Sequence, residues 1–187
     1  METISGCVDF RLDEQDKIVA VGSEWDIFAL ENDAPELIGS KVIGRPLFDF
    51  ISGNVTQQFV QALLQVVRSG KKSIELEYRC DSPTERRLMH MRVTLEESGL
   101  VHFVNTLLGS ESRKNKILIS RATQRGKNTT VRCSMCNLVK PLKDWVEPDR
   151  FDGSNTSKVA EWIVIYGICD RCVANLLRAS SARTTVT

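Results

Sequence analysis

Polar and apolar positions fall into segments of two different periods. Apolar runs at residues 8–12 and 18–21 flank the polar stretch 13–17, which predicts a hairpin. Ser23 stands as an N-cap before Trp25, Phe28 and Ala29 at helical spacing, and Asn32, Asp33, Ala34 and Pro35 read as a loop. Gly44, Arg45 and Pro46 lead into Leu47, Phe48, Phe50 and Ile51, a second short helix or turn. The strongest helical period covers residues 56–68, where Phe59, Leu63, Val66 and Val67 share a face and Gly70 stands at the C-terminal cap.

The period then changes to two. Ile74, Leu76, Tyr78 and Cys80 alternate with Glu75, Glu77 and Arg79, and after a turn at Asp81, Ser82 and Pro83, Met89, Met91, Val93 and Leu95 alternate with His90, Arg92 and Thr94. Ser98 and Gly99 turn the chain into a third strand at residues 100–108. Two strands, several short helices, one longer helix and three strands predict an α+β fold, a five-stranded antiparallel sheet with helices on one face.

Residues 6–108 resemble a PAS domain. The resemblance is carried by the opening hairpin, the segment Gly44-Arg45-Pro46-Leu47-Phe48-Asp49-Phe50-Ile51, the helix ending at Gly70 and the three closing strands. The stretch Tyr78-Arg79-Cys80-Asp81-Ser82-Pro83, with Arg86 and Arg87 after it, is similar to a variant in bacterial signalling PAS domains. The resemblance implies a sensor or partner-binding unit over residues 1–108. It also implies dimerisation through the N-terminal segment or the outer sheet face. Trp25, Ile74, Leu76, Tyr78, Met89, Met91 and Val93 then face its interior, either as plain core or as the lining of a ligand pocket.

Composition adds a second unit. The 187 residues are 42% hydrophobic and 26% charged, enough for one full core and a small addition. The net charge of +1 hides an asymmetry: residues 1–108 hold 11 basic and 17 acidic side chains, residues 109–187 hold 14 and 7. Residues 109–130 read as a basic linker, partly helical around 114–121, with a tail at residues 179–187. No apolar run is long enough to span a bilayer, and Glu2 and Asp9 stand where a signal peptide would be basic and apolar, so the expectation is a cytoplasmic protein away from membranes.

In a reducing compartment six cysteines point to ligands or buried thiols rather than disulfides. Cys133 and Cys136 form one Cys-x-x-Cys pair and Cys169 and Cys172 another, with 32 residues between the pairs. Each pair lets a tight turn aim two sulfurs at one ion, and the two together supply a tetrahedral structural zinc site. Trp145, Trp162, Ile163, Val164, Ile165 and Tyr166 provide a small core, and Val173, Ala174, Leu176 and Leu177 at helical spacing place the second pair at a helix start. The predicted zinc module, residues 131–178, is therefore treble-clef-like or ribbon-like. The segment also resembles a short cysteine tail of bacterial PAS and response-regulator proteins, through Cys133-Ser134-Met135-Cys136, Lys140, an isolated Trp and Tyr166-Gly167-Ile168-Cys169-Asp170-Arg171-Cys172. Where that family has a His before the Gly and a Pro after the third Cys, this chain has Tyr166 and Asp170.

Cys7 and Cys80 read as small buried hydrophobes, and His90 and His102 as sheet positions. Haem and flavin are not expected: the helix at 56–68 has no His, there is no Cys-x-x-Cys-His, and no cysteine has an Asn-Cys-Arg setting. Walker, Gly-x-Ser-x-Gly, His-Glu-x-x-His and kinase or cyclase signatures are absent from the sequence, so the expectation is a non-enzymatic bacterial signal-transduction protein. Its PAS-like domain would sense a ligand or bind a protein partner, and a packing change would pass through residues 109–130 to the zinc module, which presents the output. Two alternatives stand beside it. One is a nucleic-acid-binding regulator using Lys114, Lys116, Arg121, Arg125 and Lys127 with the zinc module; the other is a thiol redox sensor that releases zinc on oxidation.

Overall fold

The structure is a computed structural model and describes residues 7–70, 73–149 and 159–181. The opening hairpin joins β1 (Cys7–Leu12) to β2 (Ile18–Val21). Its turn is fixed by Asp13, whose Oδ1 accepts the backbone N–H groups of Gln15 and Lys17, each at 2.9 Å. Helix α1 (Trp25–Glu31) follows. Its cap is Glu24 rather than Ser23, without a side-chain hydrogen bond, and the start is held instead by Trp25 Nε1 donating to the Leu37 carbonyl at 2.7 Å. After the short α2 (Gly39–Val42) and a 3-10 turn (Leu47–Phe50), α3 (Asn54–Gly70) buries Phe59, Leu63 and Val67 of the predicted face, with Leu64 buried beside them and Val66 only half-buried.

Three long strands close the first sheet: β3 (Ile74–Arg79), β4 (Glu85–Leu95) and β5 (Val101–Ser112). The order is β2-β1-β5-β4-β3, antiparallel throughout, so the five-stranded sheet is present. Its strands are longer than the alternation alone predicts, because Glu85 to Leu88 pair with residues 109–112. Leu12, Ile74, Val93, Val101 and Phe103 from its inner face join Leu63 and Val67 in the core.

Residues 109–130, expected to be a linker with helix around 114–121, are instead largely strand. Residues 109–112 continue β5, and Lys116 to Arg121 form β6 (Lys116–Arg121). Ile117 is buried and Ile119 half-buried while Lys116, Leu118 and Ser120 face out, a period of two in a β-branched segment. Its start is stitched to the β3–β4 turn: the N–H groups of Arg113 and Ile117 donate to the carbonyls of Thr84 and Pro83 at 2.7 and 2.9 Å.

Then come β7 (Thr129–Cys133), the two-residue β8 (Val139–Lys140), β9 (Val159–Gly167) and α4 (Asp170–Ser181). The second sheet runs β6-β9-β7-β8, with β9 parallel to both β6 and β7. Helix α4 lies against β3 and α3, and β9 against α3, so Cys133, Met135, Cys172 and Leu176 belong to the same continuous core as Leu12, Leu63 and Ile74. Gly53 marks that close approach: at φ +89° it lies so near β9 that a Cβ would sit 3.0 Å from the Tyr166 carbonyl oxygen. Cys7, expected to be buried, is exposed at the start of β1, because the strand's alternation turns it to the outer face with Asp9 and Arg11. Cys80 is half-buried, and desolvation pushes its thiol pKa up. No helix among the described residues is long and apolar enough to cross a membrane.

Candidate metal centre and interior cavity

The four cysteines of the two pairs converge. Cys133 ends β7, and the chain closes a knuckle behind it: Asn137 N–H donates to the Cys133 carbonyl and Cys133 N–H to the Leu138 carbonyl, each at 2.9 Å. That loop requires a left-handed residue, which Asn137 supplies at φ 60°. The second pair straddles the start of α4, Cys169 just before it and Cys172 in its first turn, with Cys172 N–H donating to the Cys169 carbonyl at 2.9 Å. The helix's positive end favours negative sulfur there.

All four Sγ atoms lie within 4.8 Å of one another. Zinc–sulfur bonds of about 2.3 Å set the edge of a ligand tetrahedron at roughly 3.8 Å, and Cys136 Sγ is 3.7 Å from Cys169 Sγ. Cys133 Sγ also accepts the Cys169 backbone N–H at 3.4 Å, a bond that favours thiolate. The thiols of Cys136 and Cys172, together with backbone N–H groups, hold the Cys133 thiol far below its ordinary pKa, while the same bonding to Cys133 pushes Cys136 up to about 11 and Cys172 further up. Four sulfurs this close cannot all ionise without a cation among them. The donor set fits a structural metal site of zinc type, and four thiolates leave no open position for water.

Between α1 and the inner face of the first sheet lies a cavity of about 310 Å³. Its aromatic wall is Phe10, Trp25 and Phe28, and its floor is Met89, Met91, Tyr78 and Asn105. No charged side chain among the described residues lines it. The Tyr78 hydroxyl donates to Asn105 Oδ1 at 3.0 Å, and Asn105 Nδ2 donates to the Val8 carbonyl at 3.2 Å, so one polar couple sits in a mainly apolar space. Burial pushes the Tyr78 pKa well above its ordinary value of 10.0. At one side Asn32 also lines the cavity and accepts Arg87 Nη2 at 2.5 Å.

The predicted interior residues divide. Trp25, Tyr78, Met89 and Met91 line the cavity; Ile74, Leu76 and Val93 are buried in the core against α3 and α4 and do not line it. Asn105, missed in the sequence, had a signal: it is the polar residue at an inward position of the alternation Val101, Phe103, Asn105.

Lys114, Lys116, Arg121, Arg125 and Lys127 are exposed along and beside β6, and none forms an ion pair with a described residue. His90 and His102 lie on the outer face of the sheet, His102 with Nε2 2.9 Å from Asp9 and Nδ1 3.3 Å from Glu96.

A buried charge network joins the two sheets. Arg79 binds Asp81 at 3.2 and 2.5 Å and Glu147 at 2.7 Å, Arg86 binds Asp149 at 2.5 Å, and Arg113 binds Asp81. Next to it the knuckle docks on the end of β3: Arg79 N–H donates to the Met135 carbonyl at 2.7 Å, and Asn137 Nδ2 donates to the Arg79 carbonyl at 2.9 Å.

No family model and no curated protein matches the chain. Among solved structures it is similar to the PAS domain of the quorum-sensing receptor RpfR of Cronobacter turicensis in complex with C12:0. The identity is 16%, the match covers 58% of this chain and 100% of that one, and the TM-score is 0.43.

Proposed function

We propose that this chain is a non-enzymatic signal-transduction protein. Its first sheet and helices hold an uncharged, largely apolar small molecule, and its cysteine module, built on one structural zinc ion, presents the response to a protein partner. The observation that carries this reading is the cavity of about 310 Å³ under α1, at the lower end of small-molecule sites, apolar apart from the Tyr78–Asn105 couple and Asn32. A hollow of that size, walled by Phe10, Trp25 and Phe28 beside a core otherwise filled by aliphatic side chains, offers an apolar occupant surface to bury, which supports one. The absence of a lining charge among the described residues, and the resistance of Tyr78 to ionisation, support an uncharged one.

Zinc has a different part. Held by Cys133, Cys136, Cys169 and Cys172, it supplies folding energy to the module. The chain's own residues then fix the module to the sensor: α4 against β3 and α3, the charge network at Arg79 and Asp81, and the knuckle bonds to Arg79.

Native mass spectrometry of freshly prepared, reduced full-length protein, followed by a fragment screen read by ligand-observed NMR, tests both halves. One zinc per chain, together with uncharged apolar fragments that bind the wild type and are lost in Ala29→Phe, is the expected result. Absence of zinc overturns the metal reading. Fragments that bind equally well when Ala29→Phe fills the cavity overturn the sensing reading.

A further inference from the structure

We propose that occupancy of the cavity and the cluster's hold on its metal are coupled through the three residues Tyr78, Arg79 and Cys80 at the end of β3. This rests on the function proposed above and names a regulation of the same two sites.

Each of the three residues has a distinct tie. The Tyr78 ring lines the cavity and its hydroxyl donates to Asn105. Both peptide groups of Arg79 are committed to the knuckle: its N–H donates to Met135 O at 2.7 Å and its carbonyl accepts Asn137 Nδ2 at 2.9 Å. The Cys80 carbonyl accepts Arg87 Nε at 2.6 Å, and Arg87 reaches back to the opposite wall of the cavity, donating to Asn32 Oδ1 and lying 5.6 Å over the Phe28 ring. Floor and wall of the cavity are thus both fastened to the peptide that carries the knuckle.

The knuckle has little freedom to absorb a shift. Met135 lies between the ligands Cys133 and Cys136, and Asn137 follows directly at positive φ. Displacing the Arg79 peptide therefore displaces two of the four sulfurs relative to the pair on α4. Close-packed interiors pass on such shifts rather than dissipate them. Coupling of this kind is reciprocal: the factor by which an occupant changes metal affinity is the factor by which metal changes the occupant's affinity. It also bypasses residues 109–130, the route expected from the sequence.

The test measures zinc transfer from the full-length, zinc-loaded chain to the chromophoric chelator 4-(2-pyridylazo)resorcinol, after zinc content is confirmed at one per chain. Ala29→Met partly fills the cavity from α1 and is expected to slow transfer; Tyr78→Phe removes the bond to Asn105 and is expected to accelerate it, each by roughly fivefold or more. Val55→Met, on the exposed side of α3, serves as the control with an unchanged rate. In an Asn137→Gly background, which keeps the positive φ of the knuckle, both effects are expected to shrink, because the side-chain bond to the Arg79 carbonyl is gone. Rates within about twofold of wild type for both cavity variants, with native circular dichroism, overturn the coupling and leave the two sites standing. Should Ala29→Met fail to fold, Tyr78→Phe, which keeps the ring, decides alone. A wild-type chain without zinc overturns the metal reading and this inference with it.

Discussion

Arg113 and Asp81 form an ion pair in which each side chain is 1% exposed. Asp81 is bound again by both forks of Arg79 and by the Arg87 backbone N–H at 3.2 Å, so its carboxylate is enclosed by donors from β3, β4 and the end of β5. Arg113 belongs by sequence to a run of basic residues, yet the fold takes it out of solvent.

Breaking that pair is expected to be costly. Arg113→Ala leaves Asp81 short of a partner in a buried site and is expected to destabilise the protein by about 3–5 kcal/mol, the range for orphaning a buried charge. Arg125→Ala, four positions past β6 and exposed, is expected to stay within about 0.5 kcal/mol. Urea unfolding midpoints of the two variants check this, and similar midpoints would contradict the buried network.

The cysteines are expected to separate into two classes. Cys169→Ser removes a ligand and is expected to abolish the binding of one zinc per chain and lower the melting temperature strongly, since a structural zinc contributes up to roughly 10 kcal/mol to a small module. Cys7→Ser, at an exposed position, is expected to leave zinc content and melting temperature unchanged. Metal analysis and thermal unfolding with and without EDTA provide the comparison.

Asn105 and Tyr78 are expected to behave as a couple. Tyr78→Phe loses one hydrogen bond, worth about 1 kcal/mol, whereas Asn105→Ala leaves the Tyr78 hydroxyl without this acceptor and removes the side-chain bond to the Val8 carbonyl, and is expected to cost about 1–3 kcal/mol. In a double-mutant cycle the two effects are expected to be non-additive by at least about 0.5 kcal/mol.

Alkaline pH is expected to destabilise the fold through the same residue. The folded-state pKa of Tyr78 is raised above its ordinary 10.0, and that of Cys80 above 9.0, in both cases chiefly by desolvation. A raised acid favours the protonated folded state, so the contribution is complete below the ordinary values and is lost as pH climbs through the folded ones. Urea midpoints are therefore expected to fall above about pH 9–10, less steeply in Tyr78→Phe. An identical slope in the variant would remove Tyr78 from the account.

Gly53→Ala is expected to cost more than about 1 kcal/mol, because positive φ and a Cβ pressed on the Tyr166 carbonyl act together at the contact of α3 with β9. A thermal midpoint equal to wild type would show that this contact yields freely.

The first five strands, the long helix and the four candidate metal donors were readable from the local sequence. Periods of two and of 3.6 are local properties of the chain, so β1 to β5 and the buried face of α3 were legible from them. A Cys-x-x-Cys spacing is likewise local, and it identified all four sulfurs that converge. Residues 109–130 misled because charge and small polar residues dominate their composition, while the alternation of Ile117 and Ile119 is short and its pairing partner, β9, lies 43 residues on. Long-range packing settled the rest: where Arg113 goes, that Asn105 and Tyr78 share one hollow, that Ile74, Leu76 and Val93 lie outside it, and that the knuckle rests on Arg79. Each of those facts joins residues far apart in the chain. Their energies come from desolvation and hydrogen-bond geometry, which exist only once the two sheets share a core.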